Sequence, residues 1–82
     1  MKNWNLSEHY KTKVLGYRKE IKTDWVYETI KEPIKTETQD DGLVKYWRKM
    51  ENGKFLRVVV SPEKDLIITA FYDRGFINEN KI

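Results

Sequence analysis

Three arginines sit inside segments otherwise built from aromatic and β-branched residues: Arg48 in Lys45-Tyr46-Trp47-Arg48-Lys49, Arg57 in Phe55-Leu56-Arg57-Val58-Val59-Val60, and Arg74 after Phe71-Tyr72-Asp73. A guanidinium offers a fork of donors matched to phosphate oxygens, and a neighbouring ring offers a face on which a base can stack. This pairing makes RNA the expected partner. Lys45, Arg48, Lys49 and Tyr72 are the expected RNA-binding side chains, with Asp73 supporting. For proton transfer the choice is narrow. His9 is the single histidine, and its ordinary pKa suits acid or base work near neutrality. Tyr46 offers a phenol that can donate a proton or stack on a base. Arg57 is out of place beside Val58 and Val59 unless it faces a groove or finds a carboxylate, for which Asp73 and Glu37 are the candidates. Arg74 can bind phosphate, and Asp73 can orient His9 or Arg57. Each has a plainer alternative: a solvated basic face, a core-edge tyrosine, a strand-end turn with a local ion pair.

The rest of the composition removes other chemistries. The chain has no cysteine, one histidine and scattered carboxylates, so no metal site and no other cofactor is expected. It has neither a glycine-rich phosphate loop nor a serine-nucleophile motif. A net charge of +3 permits nucleic-acid binding without demanding it. With 82 residues, 39% of them hydrophobic and 35% charged, a single folded domain with a modest core is expected. Residues 1–6 and 77–82 read as loose termini. The first seven residues contain no apolar run and the longest apolar stretches are three residues, so neither a signal peptide nor a membrane span is expected, and the location expected is cytoplasmic.

The elements that would carry these side chains follow from periodicity. Residues about 7 to 19 fit a helix capped by Ser7, with Tyr10, Val14 and Tyr17 forming an apolar stripe that Gly16 weakens. A second helix, from about 24 to 32, has Thr23 or Asp24 as its cap and Pro33 as its stop, with Ile21 placed to staple against Trp25 or Val26. Residues about 34 to 39 alternate as a polar edge strand. Strands over 43–50, 54–60 and 66–74 follow, separated by Asp41-Gly42, Glu51-Asn52-Gly53 and the Ser61–Asp65 turn. The expected fold is α+β: two N-terminal helices packed on a four-stranded antiparallel meander. The expected core is Val14, Trp25, Ile30, Leu56, Val58, Ile68 and Ala70. Leu66, Ile68, Ala70 and Tyr72 share one face, and a one-residue register error would exchange the faces. The face of the Lys45–Lys49 strand stays open.

His9, Arg18 with Ile21, Pro33, Asp41-Gly42, Tyr46-Trp47-Arg48, Leu56-Arg57-Val58-Val59 and Tyr72-Asp73-Arg74 together resemble a group of small prokaryotic proteins. That group lies on the BrnT and RelE/ParE side of the barnase–EndoU–colicin–RelE-like ribonuclease-toxin superfamily. The resemblance spans about residues 9 to 76. It implies an endoribonuclease toxin of a type II toxin–antitoxin pair, a hydrolase that cuts RNA without metal and is neutralised by a cognate antitoxin protein. Such cleavage needs a base for the 2′-hydroxyl, an acid for the leaving oxygen and cations for the phosphorane. The implied catalytic set is His9, Tyr46, Arg57 and Arg74, converging on one concave face. The charge of +3 departs from the far more basic members that cut messenger RNA on the ribosome. A non-catalytic RNA- or protein-binding module of the same fold is the alternative.

Overall fold

The computed structural model describes residues 4–17 and 21–75, and only the backbone of Tyr17. Within these limits the fold is α+β, a five-stranded mixed sheet with two helical elements on one face. The elements are β1 (Asn5–Leu6), α1 (π-helical over Tyr10–Val14, then α-helical over Leu15–Tyr17), α2 (Thr23–Lys31), β2 (Lys35–Thr38), β3 (Val44–Lys49), β4 (Phe55–Ser61) and β5 (Leu66–Tyr72). Spatial order is β1-β5-β4-β3-β2, with β2 to β5 an antiparallel meander and β1 joined in parallel to β5.

The expected four-stranded antiparallel sheet is therefore corrected by one strand. Asn5 and Leu6, expected in a loose terminus, pair with Leu66 and Ile67. Half-buried Trp4 and Leu6 pack against the core, and the Tyr27 hydroxyl donates to the Trp4 carbonyl at 3.2 Å. Residues 77–82, the other expected loose end, lie outside the described residues, as does the expected extension of α1 through residues 18 and 19.

Ser7 caps α1 as expected: its Oγ accepts the Tyr10 N–H at 3.0 Å. The same hydroxyl donates to the Ile68 carbonyl at 3.0 Å, and the Ser7 N–H donates to the Ile67 carbonyl at 3.1 Å. These bonds meet β5 where its register slips, because Val59 opposes Thr69 while Val60 opposes Ile67. Ile68 is the extra residue of that bulge, and a bulged residue drops out of the ladder. The slip also turns the side chains over. Ile67 is fully buried in the core and Ile68 only half-buried, which reverses the expected placement of Ile68. Strict alternation cannot anticipate an inserted residue.

The core comprises Tyr10, Val14, Ile21, Val26, Leu56, Val58, Val60, Ile67 and Ala70. Trp25 and Ile30, expected fully inside, pack on its margin. Thr29 is buried on α2 because its hydroxyl satisfies itself on the Trp25 carbonyl at 2.8 Å. The cap of α2 differs from expectation. Lys22 occupies that position in an extended conformation with no side-chain bond, and Thr23 is already helical. Ile21 and Val26 occupy the positions of the expected hydrophobic staple, and both belong to the core. The helix stops at Lys31, just ahead of Pro33.

Both tight hairpins use the same turn chemistry. Asp41 Oδ1 accepts the Leu43 N–H at 3.0 Å, and Asn52 Oδ1 accepts the Lys54 N–H at 2.9 Å. Gly53 follows at φ +83°, where a Cβ would meet nothing within 4 Å. Gly53→Ala should consequently cost only the left-handed backbone penalty, about 1 kcal/mol. Urea denaturation checks this; a neutral result would mean that the turn relaxes to another conformation.

Candidate functional site

Alternation along β4 decides where Arg57 points. Leu56 and Val58 are buried beneath the helices, so Arg57 between them emerges on the opposite face. The register aligns Lys35, Trp47, Arg57 and Phe71 in one row across β2, β3, β4 and β5. The guanidinium carbon lies 5.7 Å from the Trp47 ring centroid and 5.1 Å from that of Phe71. Lys35 Nζ approaches Trp47 from its other neighbour, at 5.9 Å. Each contact is within cation–π range.

Asp73 follows β5 and extends its ladder, donating its N–H to the Phe55 carbonyl at 2.9 Å. Its Oδ2 accepts the Trp47 indole N–H at 3.0 Å, and its Oδ1 accepts the Gly75 N–H at 3.0 Å. Arg57 Nη1 reaches the same Oδ2 only at 3.5 Å, a long contact for an ion pair. Asp73 is thus held mainly by Trp47 and Gly75, and the expected Arg57 carboxylate partner is Asp73, not Glu37. Glu37 pairs with Lys45 at 3.6 Å. Burial pulls the Asp73 carboxyl upward, but the Trp47 and Gly75 hydrogen bonds and the Arg57 charge outweigh it, holding the group below its ordinary 3.8.

Arg57 is therefore positioned but little used. Among the described residues one of its five guanidinium N–H donors is engaged, at 3.5 Å, while Nε is buried without a hydrogen-bond partner. The side chain keeps 25% of its surface exposed. Two rings flank it, and among the described residues its outer donors find no acceptor closer than 3.5 Å.

Beside this cluster, at the end of the sheet, Gly53, Lys54, Phe55, Tyr72, Asp73 and Arg74 line a shallow cleft of about 320 Å³. Lys54 Nζ lies 5.1 Å from the Tyr72 ring centroid, and the Tyr72 hydroxyl accepts from Asn52 Nδ2 at 3.4 Å. Arg74 is exposed in the turn after β5. Asp73 belongs both to this cleft and to the Arg57 cluster. Lys54, Phe55 and Trp47 were not among the expected site residues. The pairing of Trp47 with Arg57 is the register that a tight turn at Asn52-Gly53 produces, and that turn was the signal for it.

The remaining expected site residues lie elsewhere. Tyr46 opposes Val58 and packs half-buried against the core, on the helix-covered face. His9 is exposed at the start of α1, with the sheet between it and Arg57. The expected convergence of His9, Tyr46, Arg57 and Arg74 on one concave face accordingly does not form: Arg57 meets Asp73 on the open face, Arg74 lines the neighbouring cleft with Asp73, and Tyr72, opposite Leu56, packs against the core. The basic run Lys45, Arg48 and Lys49 also divides. Lys45 and Lys49 share the Arg57 face, while Arg48 turns toward α2 and donates from Nη1 to the Glu32 carbonyl at 2.9 Å. There it lines a second cleft, of about 350 Å³, with Trp25, Glu28 and Met50. A cation at the final carbonyls of α2 is favourably placed for the helix dipole.

Among the described residues no three carboxylate or imidazole side chains gather as a metal set, and no helix is long and apolar enough to cross a membrane. No protein-family model, no curated protein and no solved structure matches this chain.

Proposed function

We propose that the protein is a single-stranded RNA-binding module that grips phosphates with Arg57, Lys54 and Arg74 at the end of its sheet. The observation that carries this reading is the guanidinium of Arg57, set between two rings, with Nε buried and its one hydrogen bond among the described residues a long 3.5 Å. A preset fork needs little ordering on binding. Lys54 and Arg74 extend the positive charge along the adjoining cleft, where Lys54 lies 5.1 Å from the Tyr72 ring centroid. The binding form of the function is favoured over cleavage because His9 and Tyr46, the candidate proton carriers, lie across the sheet from Arg57. An endoribonuclease toxin held by an antitoxin, as the resemblance implies, would need its proton carrier within hydrogen-bond reach of the scissile phosphate.

Fluorescence anisotropy with a labelled twelve-nucleotide RNA tests this. Affinity should fall with salt with a logarithmic slope of roughly −2, the value for about three phosphates on a single strand. The Lys54→Ala/Arg74→Ala double variant should bind at least about tenfold more weakly, with a slope shallower by roughly 1.4. Absence of binding at low salt, or an unchanged slope in the double variant, would overturn the proposal. Gel analysis of the same RNA in EDTA reads cleavage directly. Cut products ending in a cyclic phosphate would replace the binding module with the nuclease.

A further inference from the structure

Among the described residues the sheet has one long free edge. At the other end β1 supplies only two residues, whereas all four residues of β2 are exposed. The hairpin register identifies which main-chain groups face outward. Gln39 donates to the Leu43 carbonyl at 2.8 Å, a hydrogen-bonded pair that closes the hairpin. Such pairs recur every second residue, so Glu37 with Lys45 and Lys35 with Trp47 face β3. The N–H and C=O of Thr36 and Thr38 then point away from the sheet, a template for another strand.

We propose that β2 pairs with β2 of a second copy of this chain, antiparallel, about a two-fold axis normal to the sheet at Thr36. This does not depend on the RNA reading. The axis makes Thr36 and the partner's Thr36 a hydrogen-bonded pair that exchanges both N–H···O bonds. A rotation about the sheet normal keeps faces matched, so Lys35 falls directly opposite the partner's Glu37, and Glu37 opposite the partner's Lys35. These are non-hydrogen-bonded positions, where side chains approach most closely. Each new pair extends the existing Glu37–Lys45 ion pair into an alternating charge row across the joined edges. Ile34, 46% exposed just before the strand, donates its N–H inward to the Trp47 carbonyl at 2.7 Å, so the main-chain pairing centres on Thr36.

The occupant follows from charge. Among registers that use the outward groups of Thr36 and Thr38, the two neighbours of this one set Lys35 against Lys35 or Glu37 against Glu37. Like charges directly opposite are unfavourable. The Lys-Thr-Glu-Thr strand thus rejects mispairing and accepts one register with itself. The short contact places the dimer in the small, transient class of interfaces. Isologous symmetry then joins two five-stranded sheets edge to edge, with both helix layers on one side.

Sedimentation equilibrium between micromolar and millimolar concentration tests the pairing, with circular dichroism to confirm folding. The wild type should dimerise reversibly and weaken with salt. Lys35→Glu and Glu37→Lys should each raise the dissociation constant by roughly tenfold or more, since each places like charges opposite one another twice. An equimolar mixture of these two variants should associate, because their edges are then complementary. The Lys35→Glu/Glu37→Lys double variant should regain wild-type dimerisation. A wild type that stays monomeric at millimolar concentration overturns the proposal. So does a dimer indifferent to the reversals, or single variants that neither the mixture nor the double variant rescues.

Discussion

Leu56→Ala should lower the unfolding free energy by about 2–5 kcal/mol, the range for a fully buried leucine truncated to a methyl group. Leu56 is 0% exposed, central in β4, and set between Arg48 of β3 and Tyr72 of β5. The core around it draws on α1, α2, β4 and β5, so few of its residues can move in to refill the space. A domain of this size has only roughly 4–12 kcal/mol of stability in total. The variant should therefore unfold at much lower urea, with an unchanged m-value. A loss below about 0.5 kcal/mol would mean that the cavity collapses completely or that Leu56 is exposed in solution.

Asp73→Ala should come next, at about 1–3 kcal/mol, because it removes an acceptor from groups that water reaches poorly. Trp47 is 5% exposed and gives up its 3.0 Å bond from the indole N–H, while Arg57 loses its Asp73 contact. Asp73→Asn keeps an oxygen for Trp47 and removes the charge, so its cost should be smaller. The pH dependence distinguishes charge from shape. The folded carboxyl titrates below its ordinary 3.8, so its charged form is stabilising at neutral pH. That contribution is fully present above the ordinary value and is lost as pH falls through the lower folded value. Wild type and Asp73→Asn should thus differ most at neutral pH and converge below about pH 3.8, followed by Trp47 fluorescence during urea titration. A difference independent of pH would assign the effect to hydrogen-bond geometry alone.

The amino-acid sequence by itself determined the meander and both hairpins. Asp41-Gly42 and Asn52-Gly53 are local signals, since an Asx side chain and a following glycine close such turns without help from the rest of the chain. Once those turns are set, the register from β2 to β4 follows, and with it the exposure of Arg57 opposite buried Leu56 and Val58. Ser7 as a cap and Pro33 as a stop were equally local.

What only tertiary structure decided are the features that depend on residues far apart in the chain. The parallel strand at Asn5–Leu6 is too short and polar to announce itself, and exists because β5 leaves an edge for it. The bulge that exchanges Ile67 for Ile68 is supported by Ser7, some sixty residues away, whose hydroxyl takes the Ile68 carbonyl. The site was decided the same way. Tyr46 and Arg57 look like neighbours in a list of reactive side chains, but their strands are in register at Tyr46–Val58, one residue out of phase. Side chains on adjacent positions of a pleated sheet face opposite ways, and that single step puts the phenol under the helices and the guanidinium on the far side.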